Sequence, residues 1–336
     1  MKVTIREVAR QANVAPSTVS RVLKNSPSIS QATKDKVNEI IKKLGYHPNE
    51  IARSLANKSS QTLGIVMTAS AEDSFLNPFF TQFILGVTRY IENFDYSLLL
   101  SSAKNEEDEL NQISRAVNSK RVDGIILLTV REQDENVKYL LKSQFPFVVV
   151  GRPNNEGDIM WVDNDNTKAM KDVTETLISS GHKRIAFIGG SQKLQVTKSR
   201  LLGYKEALQR HEYPVEKDLI IEADFTEEEG YRATVELLKK QRDIDAIVTT
   251  DDLIAYGSMG AIKDLGYQIP QDISVTGFNN TLLAPYLSPS LTSVEINATE
   301  LGCQAAKILL KHICDEELES NHHIVDTKLI LRSSTK

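Results

Sequence analysis

From Thr62 onward the chain alternates short apolar runs with amphipathic stretches, and this alternation restricts its fold more than any other feature. Residues 63–67, 97–100, 124–128, 147–150, 184–188, 219–222, 246–249 and 274–276 read as strands. Helical patterns lie between them, for example at 81–92, 167–178, 201–209 and 253–265. Strands this apolar are buried on both faces, which predicts parallel sheets with helices on either side. Eight strands are enough for two such sheets, so the body is expected to be an α/β core of two doubly wound subdomains.

The chain has 336 residues, which predicts two or three domains. No apolar run approaches the roughly 18 residues that span a bilayer. The first ten residues are polar, without the apolar segment of a secretory signal. Cys303 and Cys314 form neither a metal-ligand spacing nor a disulfide framework and read as reduced thiols. A cytoplasmic protein without a metal or cofactor is expected, with no membrane partner. The net charge of −5 hides an asymmetry: residues 1–58 carry +7 and the remainder −12. A basic head on an acidic body points to a polyanion partner for the head alone.

The head itself reads as an all-α unit. Thr4-Ile5-Arg6-Glu7 has the form of a capping box, and Ile5, Val8, Ala9 and Ala12 share one helical face. Asn13-Val14 makes a turn, and Pro16 suits the first position of a second helix. That helix turns Val19, Val22 and Leu23 inward and Pro16, Ser17, Ser20 and Arg21 outward. A third helix starts at Ser30, buries Val37, Ile40, Ile41 and Leu44, and stops at Gly45. Two short helices across a tight turn, braced by a third, make a helix-turn-helix. Its short-chained outward face fits the major groove, where Arg21 reaches a guanine in bidentate fashion. A further short helix can start at Asn49 and would expose Leu55 among basic residues.

The string from Thr4 to Leu23 closely resembles the headpiece of the lactose-repressor family of bacterial transcription regulators. Pro48-Asn49 through Ala56 resembles that family's hinge helix, and the likeness runs on to Leu331-Arg332-Ser333-Ser334-Thr335. The resemblance implies that Ser17, Thr18, Ser20 and Arg21 contact operator DNA in the major groove, with Pro16 at the helix start. Asn49 and Arg53 join the DNA-contacting set. Leu55, with Ala56 beside it, would wedge into the minor groove and bend the duplex. Some relatives carry Lys where this chain has Ala56, which removes one minor-groove bond. The headpiece would span 1–47, the hinge and linker 48–61, and an effector-binding and dimerisation domain 62–336. Within the last, the resemblance implies two subdomains like those of a periplasmic sugar-binding protein. One comprises about 62–161 and 292–322, the other about 162–290 and 323–336.

Ligands of open α/β sheets bind at the carboxyl ends of strands, so residues there are the effector candidates. Phe79 and Phe80 resemble the family's aromatic contacts, although they also read as core residues of the next helix. Arg152 follows the fourth strand, and Arg200 matches the arginine that holds the effector in relatives. Phe225 is placed to stack on a ring. In Asp251-Asp252 the first is expected to meet ligand and the second to cap a helix. Asn279 stands where the family often has Asp. Aromatic faces with Arg, Asp and Asn are what a sugar needs. Trp161 reads equally as a stacking or a packing residue, the run 105–109 as a solvated helix start, and His322-His323 as surface.

Dinucleotide, phosphate-loop, nucleophile-elbow and zinc-protease signatures are absent, so a regulator is expected and not an enzyme. The strings Asn77–Phe80, Ser102–Asp108 and Val162–Asn166 look most like maltose-operon repressors of Gram-positive bacteria. The expected function is repression of a carbohydrate operon, with maltose or a related α-glucoside as effector. Some members of the family are instead global catabolite regulators that respond to a phosphorylated carrier protein. A homodimer on a near-palindromic site is expected, because no heptad tail follows Arg332.

Overall fold

A computed structural model describes residues 3–23, 25–46, 59–67, 77–154, 157–241 and 243–336. The chain divides into two compact units, residues 1–60 and 61–336.

In the first unit α1 (Ile5–Ala12), α2 (Pro16–Leu23) and α3 (Gln31–Leu44) surround Val8, Ala9, Ala12, Val19, Val22, Val37 and Tyr46. Asn13, left-handed at φ 53°, ends α1. Ser30 caps α3, and left-handed Gly45 terminates it. Two expectations are corrected. The Thr4 side chain makes no capping bond, and the Glu7 carboxylate pairs with Arg10 one turn on. Leu23 is 38% exposed, because α2 ends there and its last residue extends past the core.

The second unit holds two six-stranded sheets. The first has the order β11-β5-β4-β3-β1-β2 and is parallel throughout, with β1 Thr62–Met67, β2 Ser97–Ser102, β3 Gly124–Leu127, β4 Phe147–Val150, β5 Met160–Asn164 and β11 His322–Val325. The second has the order β12-β10-β9-β8-β6-β7, with β6 Ile185–Gly189, β7 Ile220–Glu222, β8 Ala246–Thr249, β9 Ser274–Asn279, β10 Thr292–Glu295 and β12 Lys328–Ile330. Only β12 runs antiparallel to its neighbour in that ladder. Helices α4 (Pro78–Ile91), α5 (Glu106–Asn118), α6 (Glu135–Lys142) and α11 (Ala298–Ile313) accompany the first sheet. Helices α7 (Asn166–Ser179), α8 (Gln195–Arg210), α9 (Glu227–Lys240) and α10 (Asp252–Asp264) accompany the second. No helix among the described residues is long and apolar enough to cross a membrane.

The sheets exchange chain at places other than the expected ones. Met160–Asn164 lies wholly in the first sheet, Thr292–Glu295 in the second, and His322–Val325 in the first. These strands carry polar residues near the lobe boundary, which blurs their apolar pattern. The three crossovers are fastened by one buried side chain: Asn164 Nδ2 donates to the carbonyls of Ile296 (3.1 Å) and Val325 (2.8 Å). Beside it, left-handed Asn297 (φ 53°) donates to the carbonyl of Asp326 at 3.0 Å.

Each sheet reverses its strand order once, between β1 and β3 and between β6 and β8. A crevice opens at the carboxyl edge of such a switch point, and that is where open α/β sheets hold ligands.

Candidate ligand cleft and recognition helix

On α2, Pro16, Ser17 and Arg21 are exposed and Thr18 and Ser20 half-buried, opposite the buried Val19 and Val22. The five residues share one helix, and among them only Arg21 carries a long side chain. Asn49, Arg53, Leu55 and Ala56 lie outside the described residues.

In the second unit a polar cluster joins the two lobes. Asn77 caps α4: its Oδ1 accepts from the Phe79 amide (3.0 Å) while its Nδ2 donates to Asp251 Oδ2 (3.1 Å). Asp251 caps α10, with Oδ1 accepting from the Leu253 amide at 2.7 Å. Asn279 Nδ2 donates to the same Asp251 Oδ2 at 2.8 Å. Asn279 holds φ at 107°, a strained value for a residue with a side chain. The expected division between the two aspartates is therefore corrected. Asp251 is itself the cap of α10, and its other oxygen accepts from Asn77 of the first lobe. Asp252 is fully buried beneath it and accepts from Ser293 Oγ (2.6 Å) and the Thr281 amide (2.6 Å). It thereby ties the Asn279 loop to β10.

Arg200 is buried on α8. Its Nε donates to Asn166 Oδ1 (2.8 Å) and its Nη1 to the Thr250 carbonyl (2.5 Å), with the guanidinium 3.7 Å above the Phe278 ring. Asn166 in turn donates to Asp163 Oδ1 at 2.8 Å, and Asp163 Oδ2 accepts from the Arg152 amide at 2.9 Å. Helix α8 packs closely on α7: a Cβ on Gly203 would stand 2.1 Å from the Thr167 carbonyl.

Burial dominates the electrostatics. It pushes the Asp163 and Asp251 carboxyls up to about 6 and Asp252 up to about 7, and pulls Arg200 down to about 10. The three carboxylates oppose the shift of Arg200 by favouring its charge. A site of this kind offers neutral hydroxyls both donors and acceptors.

The remaining candidates stand around this cluster. Phe79 and Phe80 are half-buried, in edge contact at 5.2 Å, and pack against the core, with Phe79 tied to Asn77 through its amide. Phe225 lies against Gly190, where a Cβ would meet its ring at 2.3 Å. The Arg152 side chain is exposed, with its guanidinium 5.6 Å from the Trp161 ring, while its amide serves Asp163. Trp161 is a packing residue in the core, stacked on exposed His322 at 4.6 Å.

Asn77, Asp163, Asn166 and Thr250 belong to the cluster although sequence reasoning gave them no site role. The one signal was Asn before Pro at a helix start, a capping pattern. The acidic run 105–109 also needs correction. Glu109 is 2% exposed, because it shares the inner face of α5 with Ile113 and Ala116 and meets Arg131 at 3.1 Å. No group of three or more His, Cys, Asp or Glu among the described residues is arranged to hold a metal ion.

Comparison with known proteins places both units. Residues 4–49 match the bacterial regulatory proteins of the lacI family, and residues 174–335 match a periplasmic binding protein-like domain. The HTH-type transcriptional regulator MalR of Streptococcus pneumoniae is 41% identical over 332 residues, covering 98% of each chain. Catabolite control protein A of Priestia megaterium is 33% identical over 337 residues, covering all of both. Among solved structures, a complex of the transcriptional regulator CelR with cellobiose aligns with a TM-score of 0.78 at 30% identity over 99% of each chain. The lac repressor dimer bound to operator and an anti-inducer shares the fold, with a TM-score of 0.88 at 23% identity over 100% of this chain and 99% of that one.

Proposed function

We propose that this chain, which belongs to the lacI family of bacterial regulatory proteins, is a sequence-specific DNA-binding repressor of a carbohydrate-utilisation operon, released from its operator by maltose or a related α-glucoside. The observation that carries the reading is the buried cluster of Asn77, Asp163, Arg200, Asp251 and Asn279, which joins residues at the carboxyl ends of β5, β8 and β9 to two helices and links the two lobes. Its amides, carboxyls and guanidinium suit the hydroxyls of a neutral saccharide, and Phe79, Phe80 and Phe225 offer apolar faces for its rings. The relation to MalR favours maltose.

In this reading two copies place their α2 helices in successive major grooves, Pro16 starting each helix and Ser17, Thr18, Ser20 and Arg21 facing the bases. The segment with Asn49, Arg53, Leu55 and Ala56 enters the minor groove between them. Sugar in the cleft changes the angle between lobes about the Asn164 hinge. The operator-bound state is thereby disfavoured by as much as the sugar prefers the other one.

The relation to catabolite control protein A supports a second reading, a catabolite regulator that answers to a phosphorylated carrier protein. Titration calorimetry of the full chain with maltose and a panel of other saccharides separates the two. Saturable binding of maltose that Arg200→Lys weakens supports the first. No heat with any saccharide, together with intact operator binding, leaves the second.

A further inference from the structure

The lobes also touch at the rim of the cleft, away from the three crossovers. The segment leaving the carboxyl end of β3 meets the amino end of α8. The Gln195 amide donates to the Val130 carbonyl at 3.0 Å, Arg131 and Leu194 form an isolated antiparallel bridge, and Lys198 Nζ lies 2.6 Å from Glu132 Oε2. Gln195 is the first residue of α8, where an amide has no acceptor within its own helix. Its donation across the cleft therefore costs the helix nothing.

Both sides of this contact are held stiffly. On the first lobe, Arg131 reaches Glu109 (3.1 Å), Glu106 (3.3 Å) and Asp134 (3.7 Å), and its amide donates to Asp134. On the second, α8 is packed on α7 through Gly203 and carries Arg200 five residues beyond Gln195. The rim contact thus fixes where the helix of Arg200 sits relative to the first lobe. Lys198 and Glu132 are part-exposed, so their pairing chiefly selects this register, and reversing either charge would set like charges against each other across the contact. Thr129, next to Val130, and Thr197, two residues past Gln195, each bury a hydroxyl that has no partner among the described residues. An opening that admitted water to these hydroxyls would satisfy them, which favours a contact that can part.

We propose that Gln195 and Lys198 are positioning residues of the cleft: they clasp the lobes together at its rim before a ligand arrives, and the clasp must part for the lobes to rotate. The inference rests on the reading of the cleft as an effector site only for its consequence on sugar binding.

The test uses the full chain with Cys303→Ser and Cys314→Ser, carrying spin labels on Glu107→Cys in α5 and Glu228→Cys in α9, both exposed positions. Gln195→Pro removes the amide donor together with the glutamine side chain. Proline suits the first helical position, and Leu194 already has the extended backbone (φ −83°, ψ 131°) that a following proline requires. Without sugar, the distance between labels should gain a longer population in Gln195→Pro and in Lys198→Glu. The double swap Glu132→Lys with Lys198→Glu should restore the parent distribution. Helix content and melting temperature should stay at parent values, and maltose affinity in Gln195→Pro should change about fivefold or more. An unchanged distance distribution in folded Gln195→Pro would overturn the clasp. If that variant fails to fold, the charge swap decides: a distribution unmoved by Lys198→Glu, or moved but not restored by the double swap, overturns it equally. A parent chain that ignores maltose counts against the effector reading and leaves the distance result to judge the clasp.

Discussion

Asn77 donates its side-chain amide to Asp251 at 3.1 Å, so the caps of two helices from different lobes are hydrogen-bonded to each other. Asn77→Asp keeps a capping oxygen on α4 but sets a second carboxyl against Asp251. Two carboxylates at this distance resist ionising together. Maltose affinity in Asn77→Asp should therefore fall more at pH 8 than at pH 6. Asn77→Ala should lose affinity equally at both and cost about 1 kcal/mol of stability from the missing cap. Calorimetry at the two pH values, with urea denaturation alongside, checks both variants.

Asp163, Asp251 and Asp252 give the body a distinctive pH dependence. Their folded values of about 6, 6 and 7 lie above the ordinary 3.8, so each contributes stability that is full below 3.8 and lost as pH rises through the folded value. Each such group contributes at most about 1.4 kcal/mol per pH unit in that window. His182 acts oppositely: burial lowers its value from 6.5, so its contribution disappears as pH falls through that range. Asp252→Asn should flatten the loss of stability between pH 5 and 7 while leaving the His182 contribution in place. Urea midpoints across that range measure the difference, and equal slopes for variant and parent would contradict it.

Arg200→Lys keeps a charge but loses the planar fork that serves Asn166 and Thr250 together and lies over Phe278. Maltose affinity should fall at least about tenfold, with operator affinity in the absence of sugar close to parent. Calorimetry and an operator titration read the two quantities separately.

Arg21→Ala should cost about 1–3 kcal/mol of operator binding and relax base preference at one position of each half-site. Binding to a set of single-base operator variants at fixed salt shows whether discrimination at that position is lost.

What the sequence made legible follows from how each residue is buried. Strands such as Phe147–Val150 are apolar on both faces and declare themselves. Thr292–Glu295 and His322–Val325 carry polar or exposed residues, and nothing local says which sheet they join. The adjacent Asp251 and Asp252 could not be ordered by pattern, because helix starts are uncertain by a residue and the two side chains differ only in which way they point. Glu109 was readable: its four- and seven-residue spacing to Ile113 and Ala116 places it on the inner face, and the acidic run around it concealed this. Asn77 and Asn166 acquire their roles from partners 174 and 34 residues away, which no local pattern encodes.

The most direct test of the account is the fluorescence anisotropy of a labelled operator-like palindrome titrated with the full chain at fixed salt, with and without maltose. The account predicts tight binding that maltose weakens, with the effect abolished in Arg200→Lys. Binding that maltose leaves unchanged, in a chain that holds the palindrome well, would contradict release by this sugar.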